Sequence, residues 1–185
     1  MSDYSVIADL SASLVDLLRD GLQDMVPTET VALLSPAEVE RQDVRLTLFL
    51  YSVSPNPNLR SAEVNAVSPK RHAAPPLWLD LRYLLTAHGS RQTADRTERS
   101  LEEQRLLGRA MRLLFDTPLL SGSLLKGGLA GSRESFRVVL HALSLEDQTR
   151  LWAALPGVSM KPSASYLVGP VAVDSTRSMD RGADA

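Results

Sequence analysis

The sequence predicts an α+β fold: a single domain with a mixed β-sheet of about five strands, two longer helices and one short helix. Three observations carry that expectation. Apolar residues recur at spacings of three and four over Ile7–Met25, and again over Leu107–Leu114. Short apolar or alternating runs, bounded by proline and glycine, fill the segments between and after them. The chain has 185 residues, 44% hydrophobic and 23% charged, which suits one globular core and leaves no room for two ordinary domains.

Each element follows from local pattern. Ile7, Leu10, Leu14, Leu17, Leu18, Leu22 and Met25 form one helical stripe, with Ser2 or Asp3 as cap and Pro27 as terminator. The opposite face carries Asp9, Asp16, Asp20 and Asp24. Val31–Leu34 is a short strand closed by Ser35 and Pro36. Leu46–Val53 is apolar on both faces, as in a strand at the middle of a sheet, and it stops at Pro55. Residues 55–76 hold several prolines and no periodicity, so they read as a long loop.

Leu77, Leu79, Leu81, Tyr83 and Leu85 then alternate with Trp78, Asp80 and Arg82 as a strand. A polar linker over 89–96 leads to a second helix, capped by Thr97 or Ser100 and running to about Phe115, with Leu107, Ala110, Met111 and Leu114 facing inward. Thr117 and Pro118 close it. Gly122–Gly131 reads as a flexible loop. Phe136, Val138 and Leu140 alternate as a strand, and Ser144 to Asp147 resembles a capping box opening a short helix through Leu155. Ala164, Tyr166 and Val168 suggest a last strand, bent or ended at Pro170. The domain is expected over 1–175, followed by a disordered tail over 176–185.

Little chemistry is visible. There is no cysteine, which excludes disulfides, thiol catalysis and thiolate metal sites. A net charge of -2 argues against nucleic-acid binding. No signal peptide and no membrane-length apolar run is apparent, so a cytoplasmic chain with no membrane contact is expected. His72, His88 and His141 lack metal-type spacing and read as exposed or structural histidines. Gly127, Gly128 and Gly131 lack the strand, helix and lysine of a phosphate loop, and no nucleophile elbow occurs. No enzyme, cofactor or metal is expected.

Two charge patterns stand out. Asp16, Asp20 and Asp24 are spaced four apart on the first helix, while Arg105, Arg109 and Arg112 form a stripe on the second. They are either solvated faces arranged to suit the helix dipoles or docking faces for a head-to-tail contact between copies.

Nine separated blocks stand in order along nearly the whole chain: Ser2–Asp9, Ser35–Glu38, Arg45–Tyr51, Asn56–Arg60, Pro75–Thr86, Leu106–Met111, Pro118–Leu124, Leu143–Leu155 and Ser163–Ser175. Together they resemble the tail-terminator, or cap, proteins of extracellular contractile injection systems, which are similar to contractile phage tail terminators. His88–Arg96, Lys126–Arg133 and the end after Ser175 depart from that pattern.

The resemblance implies an α+β subunit that forms a six-membered ring on the inner tube protein and meets the last layer of sheath protein. Such a ring halts growth and requires no cofactor. Under that implication Asn56, Asn58 and Arg60 are candidates for a tube-facing loop, and Asp16, Asp20, Arg105, Arg109 and Arg112 for contacts between protomers. Trp78 is a further candidate anchor, whereas Trp152 reads as core. Two alternatives stay open: a baseplate or sheath-adaptor subunit of the same particle, and a small cytoplasmic enzyme with a site near His72 or His88.

Overall fold

Helix α1 spans Val6–Leu22 and buries Leu10, Leu14, Leu18 and Leu22, the stripe expected from the spacing. The computed structural model describes residues 4–41, 43–59, 72–73, 75–176 and 178–179, so the expected caps Ser2 and Asp3 lie outside the described residues. Ser5 occupies the cap position; its hydroxyl donates to Asp9 Oδ2 at 2.9 Å.

The main sheet has six strands in the order β1-β2-β4-β7-β6-β5: β1 Val31–Ala32, β2 Leu46–Pro55, β4 Leu77–Ala87, β5 Leu119–Ser121, β6 Ser135–His141 and β7 Ser163–Val173. It is mixed because β1 lies parallel to β2 while the other pairs are antiparallel. The sixth strand is β5, whose three residues are too few to show any alternation. A separate two-stranded ladder joins β3, His72–Ala73, to β8, Ser178–Met179. Residues 60–71, 74, 177 and 180–185, which hold much of the expected long loop and tail, lie outside the described residues.

Strand β2 is not buried along its whole length. Leu46, Thr47 and Leu48 are buried, and exposure rises towards Pro55. Strand β1 covers only Leu46 and Thr47, so from Leu48 onward the outer edge of β2 has no strand beside it among the described residues. A register shift between Leu50 and Ser52 interrupts its pairing with β4.

Pro170 does not end the last strand, as one alternative for it held. Strand β7 runs through Pro170 to Val173, and its register against β4 shifts so that Gly169 and Pro170 together oppose Asp80. A bulge is where a strand can hold a residue without an N–H. Gly169 also has little room, since a Cβ there would lie 3.1 Å from the Leu79 carbonyl oxygen and 3.2 Å from Asp80 Oδ1.

Helix α2 spans Arg96–Asp116. Its cap is Asp95, whose carboxylate accepts the Glu98 N–H at 2.7 Å, and the expected caps Thr97 and Ser100 fall inside the helix. Asp95 outcompetes them because its charge also favours the positive end of the helix dipole. Its fully buried face is Leu106, Ala110 and Leu114, with Leu107 and Met111 packed at the margin. Helix α3, Leu145–Ala153, starts from the expected capping serine, with Ser144 Oγ accepting the Asp147 N–H at 3.0 Å.

Both long helices cover one face of the sheet. Leu10, Leu14 and Leu18 from α1 and Leu106, Ala110 and Leu114 from α2 share a cluster with Leu46, Leu81, Tyr83, Leu85, Phe136, Val138 and Val168. The strands thereby turn one side-chain row to the helices, and that row is the core. Leu84 and Trp152 are buried apart from this cluster, and Trp152 Nε1 donates to Ser163 Oγ at 3.3 Å.

Candidate interaction surfaces

The first candidate surface is the turn that follows β2. Asn56 Oδ1 accepts N–H groups from Asn58 at 2.9 Å and Leu59 at 3.1 Å, closing an Asx turn. Its Nδ2 donates to Asp80 Oδ1 at 2.8 Å, and its own N–H reaches the Trp78 carbonyl at 2.9 Å. Asn56 therefore holds the turn, whereas Asn58 is exposed at its tip. Arg60 lies outside the described residues. Asp80 is the residue the sequence pattern missed: a carboxylate within a leucine-rich strand was the available signal, and the structure buries it. Trp78 is half-buried, and its indole N–H, shielded from solvent, has no hydrogen-bond partner among the described residues.

Among the described residues the charged stripes meet at a single pair, Arg109 with Asp24. Arg109 lies 3.9 Å from Asp24 within the same protomer, Arg105 is 2.6 Å from Glu98 and Arg112 is 3.6 Å from Asp116. Asp16 lies 3.8 Å from Arg19 and 3.9 Å from Lys126, and Asp20 is exposed. At such exposed positions an ion pair contributes about 0–1 kcal/mol. These charges remain available to a partner.

Two apolar hollows open on the helix side of the sheet, and neither was legible in the sequence. One, of about 530 Å³, lies between α1 and the β1–β2 edge, with Ile7, Ala8, Ala12, Val15, Asp16 and Leu50 among its walls. The other, of about 750 Å³, lies between the end of α2 and β6, lined by Met111, Leu114, Phe115, Val138, Leu140 and Tyr166. Leu140 continues the apolar alternation of β6 but is exposed, forming part of the open hollow beside the end of α2.

The glycine-rich segment is not an unattached loop. It contains two short 3-10 turns, Gly122–Leu124 and Gly127–Leu129, and it is tied to α1. Asp9 Oδ2 accepts the Gly128 N–H at 3.1 Å, and Ser13 Oγ accepts the Lys126 N–H at 3.0 Å. Gly127 has a φ of +59°, and a Cβ there would fall on the Asp9 carboxylate.

His88 is buried at the end of β4, with Nε2 3.1 Å from Thr47 Oγ1. Burial pushes its pKa down to about 4; the Lys161 ammonium acts in the same direction and the Glu103 carboxylate opposes it. Around the adjoining 360 Å³ cavity, Glu103 accepts from Lys161 at 2.6 Å and from the Gly89 N–H at 2.9 Å. Arg99 donates to the Thr93 carbonyl at 2.7 Å. These groups hold the loop after β4 in place. His72 pairs with Met179 in the backbone ladder of β3 and β8. Among the described residues, no group of three or more His, Cys, Asp and Glu side chains is gathered where it could hold a metal ion. No described helix is long and apolar enough to cross a membrane.

The chain matches a family described as the Pvc16 N-terminal domain over residues 9–183. No curated protein matches it. Among solved structures, its fold is similar to the PVC sheath/tube terminator of an extracellular contractile injection system in the extended state. The TM-score is 0.66 and the identity 19%, over 97% of this chain and 60% of that one. It is also similar to the tube-terminating cap of the anti-feeding prophage, with a TM-score of 0.53 and 15% identity over 91% of this chain and 55% of that one. The chain thus spans three-fifths or less of the solved chains it resembles, and at these identities the likeness is one of fold.

Proposed function

The chain belongs to the Pvc16 N-terminal domain family, and from that premise we propose that it is a structural cap terminating the inner tube and sheath of a contractile injection system. The observation that carries this is agreement over nearly the whole chain: the family match spans residues 9–183, and the fold shared with a sheath/tube terminator covers 97% of it. The role is non-catalytic, and the subunit is built in the cytoplasm into a six-membered ring that contacts the tube protein on one side and the last sheath layer on the other. Fixing tail length and stabilising the distal end are the consequences.

Termination needs one face complementary to the growing end and another that refuses the next subunit. The turn at Asn56 and Asn58 faces the tube, and Arg60, next in the sequence after Leu59, is assigned to the same contact. Asn56 is already locked to Asp80 and to the β4 backbone, so little conformational entropy is lost when the turn docks. Asp16, Asp20, Arg105, Arg109 and Arg112 lie between protomers, where neighbouring copies exchange weak internal pairs for contacts shielded from solvent.

Electron microscopy of particles from a strain lacking this gene tests the reading. Overlong, uncapped or unstable tails, rescued by the wild-type gene, are the expected result. Particles of normal length and stability would overturn it and return attention to a subunit at the baseplate end.

A further inference from the structure

Building on the ring reading above, we propose that protomers join head to tail by seating Phe115 of one copy in the α1 hollow of the next, with Arg112 of the first against Asp16 of the second. Phe115 is 82% exposed on the last turn of α2, and Leu140 at 55% and Val139 at 50% line the same hollow beside it. A protruding aromatic amid exposed aliphatic side chains is the composition of an interface centre rather than of a solvated surface.

The receiving site has the complementary shape. On α1, the small side chains of Ala8 and Ala12 leave the space, and Ile7, Val15 and Leu50 wall it with apolar surface. Projection and hollow belong to different helices at different ends of the sheet, with α1 beside β1 and β2 and the end of α2 beside β6. A contact between unlike patches is heterologous, so it propagates from copy to copy and closes into a ring when the rotation allows.

Charge fixes the register. Arg112 precedes Phe115 by three residues, and Asp16 follows Ala12 by four, so each charge neighbours its apolar site on the helix surface, about 5–6 Å away. An aromatic ring seated beside Ala12 therefore brings the guanidinium within reach of the Asp16 carboxylate. The present ion pairs of both are long and at least partly open to solvent: Asp116 lies 3.6 Å from Arg112, and Arg19 and Lys126 lie 3.8 and 3.9 Å from Asp16. Exchanging them loses little.

Because the chain contains no cysteine, an engineered pair reports on this contact alone. The full chain carrying Phe115→Cys with Ala12→Cys, built into particles and oxidised, is expected to give a ladder of linked copies on a non-reducing gel, while each single variant stays at protomer mass. Absence of a ladder from particles that contain the double variant would overturn the contact, as would a linked dimer from Phe115→Cys alone, which marks a two-fold interface. In parallel, Arg112→Glu should weaken assembly about tenfold at low salt and Asp16→Arg should restore it; a double variant no better than the single one also overturns the pairing. A ladder together with tails of normal length in the deletion strain would sink the capping role and leave the contact standing. Loss of length control in the deletion strain without a ladder does the reverse.

Discussion

His88 shows how one buried side chain sets the response of the fold to acid. Its folded pKa of about 4 lies below the ordinary value of 6.5. Between those values the unfolded chain binds a proton that the folded chain refuses, so the stabilisation is complete above pH 6.5 and is lost as pH falls towards 4. The full loss is about 3 kcal/mol. Urea midpoints should therefore drop between pH 7 and 4, and His88→Gln, which cannot titrate, should flatten that slope; an unchanged slope would assign the acid sensitivity elsewhere. The sequence placed this histidine correctly at a strand end. Its burial was not legible, because the covering groups come from Thr47 and from Glu103 and Lys161 on distant segments. Asn56 was legible as a turn residue by its type, whereas its anchor on Asp80 depends on the register between β2 and β4.

Elements with strong periodicity were legible almost to their ends, and those set by tertiary contact were not. Helices α1 and α2 carry their own patterns, and the capping serine of α3 is a local signal, whereas the alternation read in strand β4 gives way to burial on both faces over Tyr83–Ala87, since β4 lies inside the sheet between β2 and β7. Strand β5 and the continuation of β7 past Pro170 exist because a neighbouring strand offers a ladder, which no single segment encodes. The glycine-rich segment read as flexible is instead a clasp on α1. Gly127 adopts a positive φ against Asp9, so Gly127→Ala combines backbone strain with a clash and should cost about 1–3 kcal/mol. A thermal midpoint lower by roughly 2–4 °C per kcal/mol is the expected readout for a chain of this size. An unmoved midpoint would mean the clasp contributes nothing to stability.

For the whole molecule, one core joins both long helices to strands at each end of the main sheet. Leu81, fully buried at its centre, should cost about 2–5 kcal/mol when replaced by alanine. Helix and tertiary-structure signals should fall together in that variant; separate transitions would show that the helices and sheet are not one unit. The proposed contact surface was illegible for a related reason. Phe115 and Ala12 look like ordinary helical residues, and only the assembled fold shows one projecting and the other lining a hollow. The outer edge of β2 has a different significance. Among the described residues that edge has no strand beside it from Leu48 onward, the kind of template on which unrelated chains stack into fibrils. The register break at Leu50–Ser52 and the proline at position 55 roughen that template before another strand can zip along it. Their contribution is to the shelf life of the folded chain: smoothing the break should leave the fold intact and shorten the time it survives in solution.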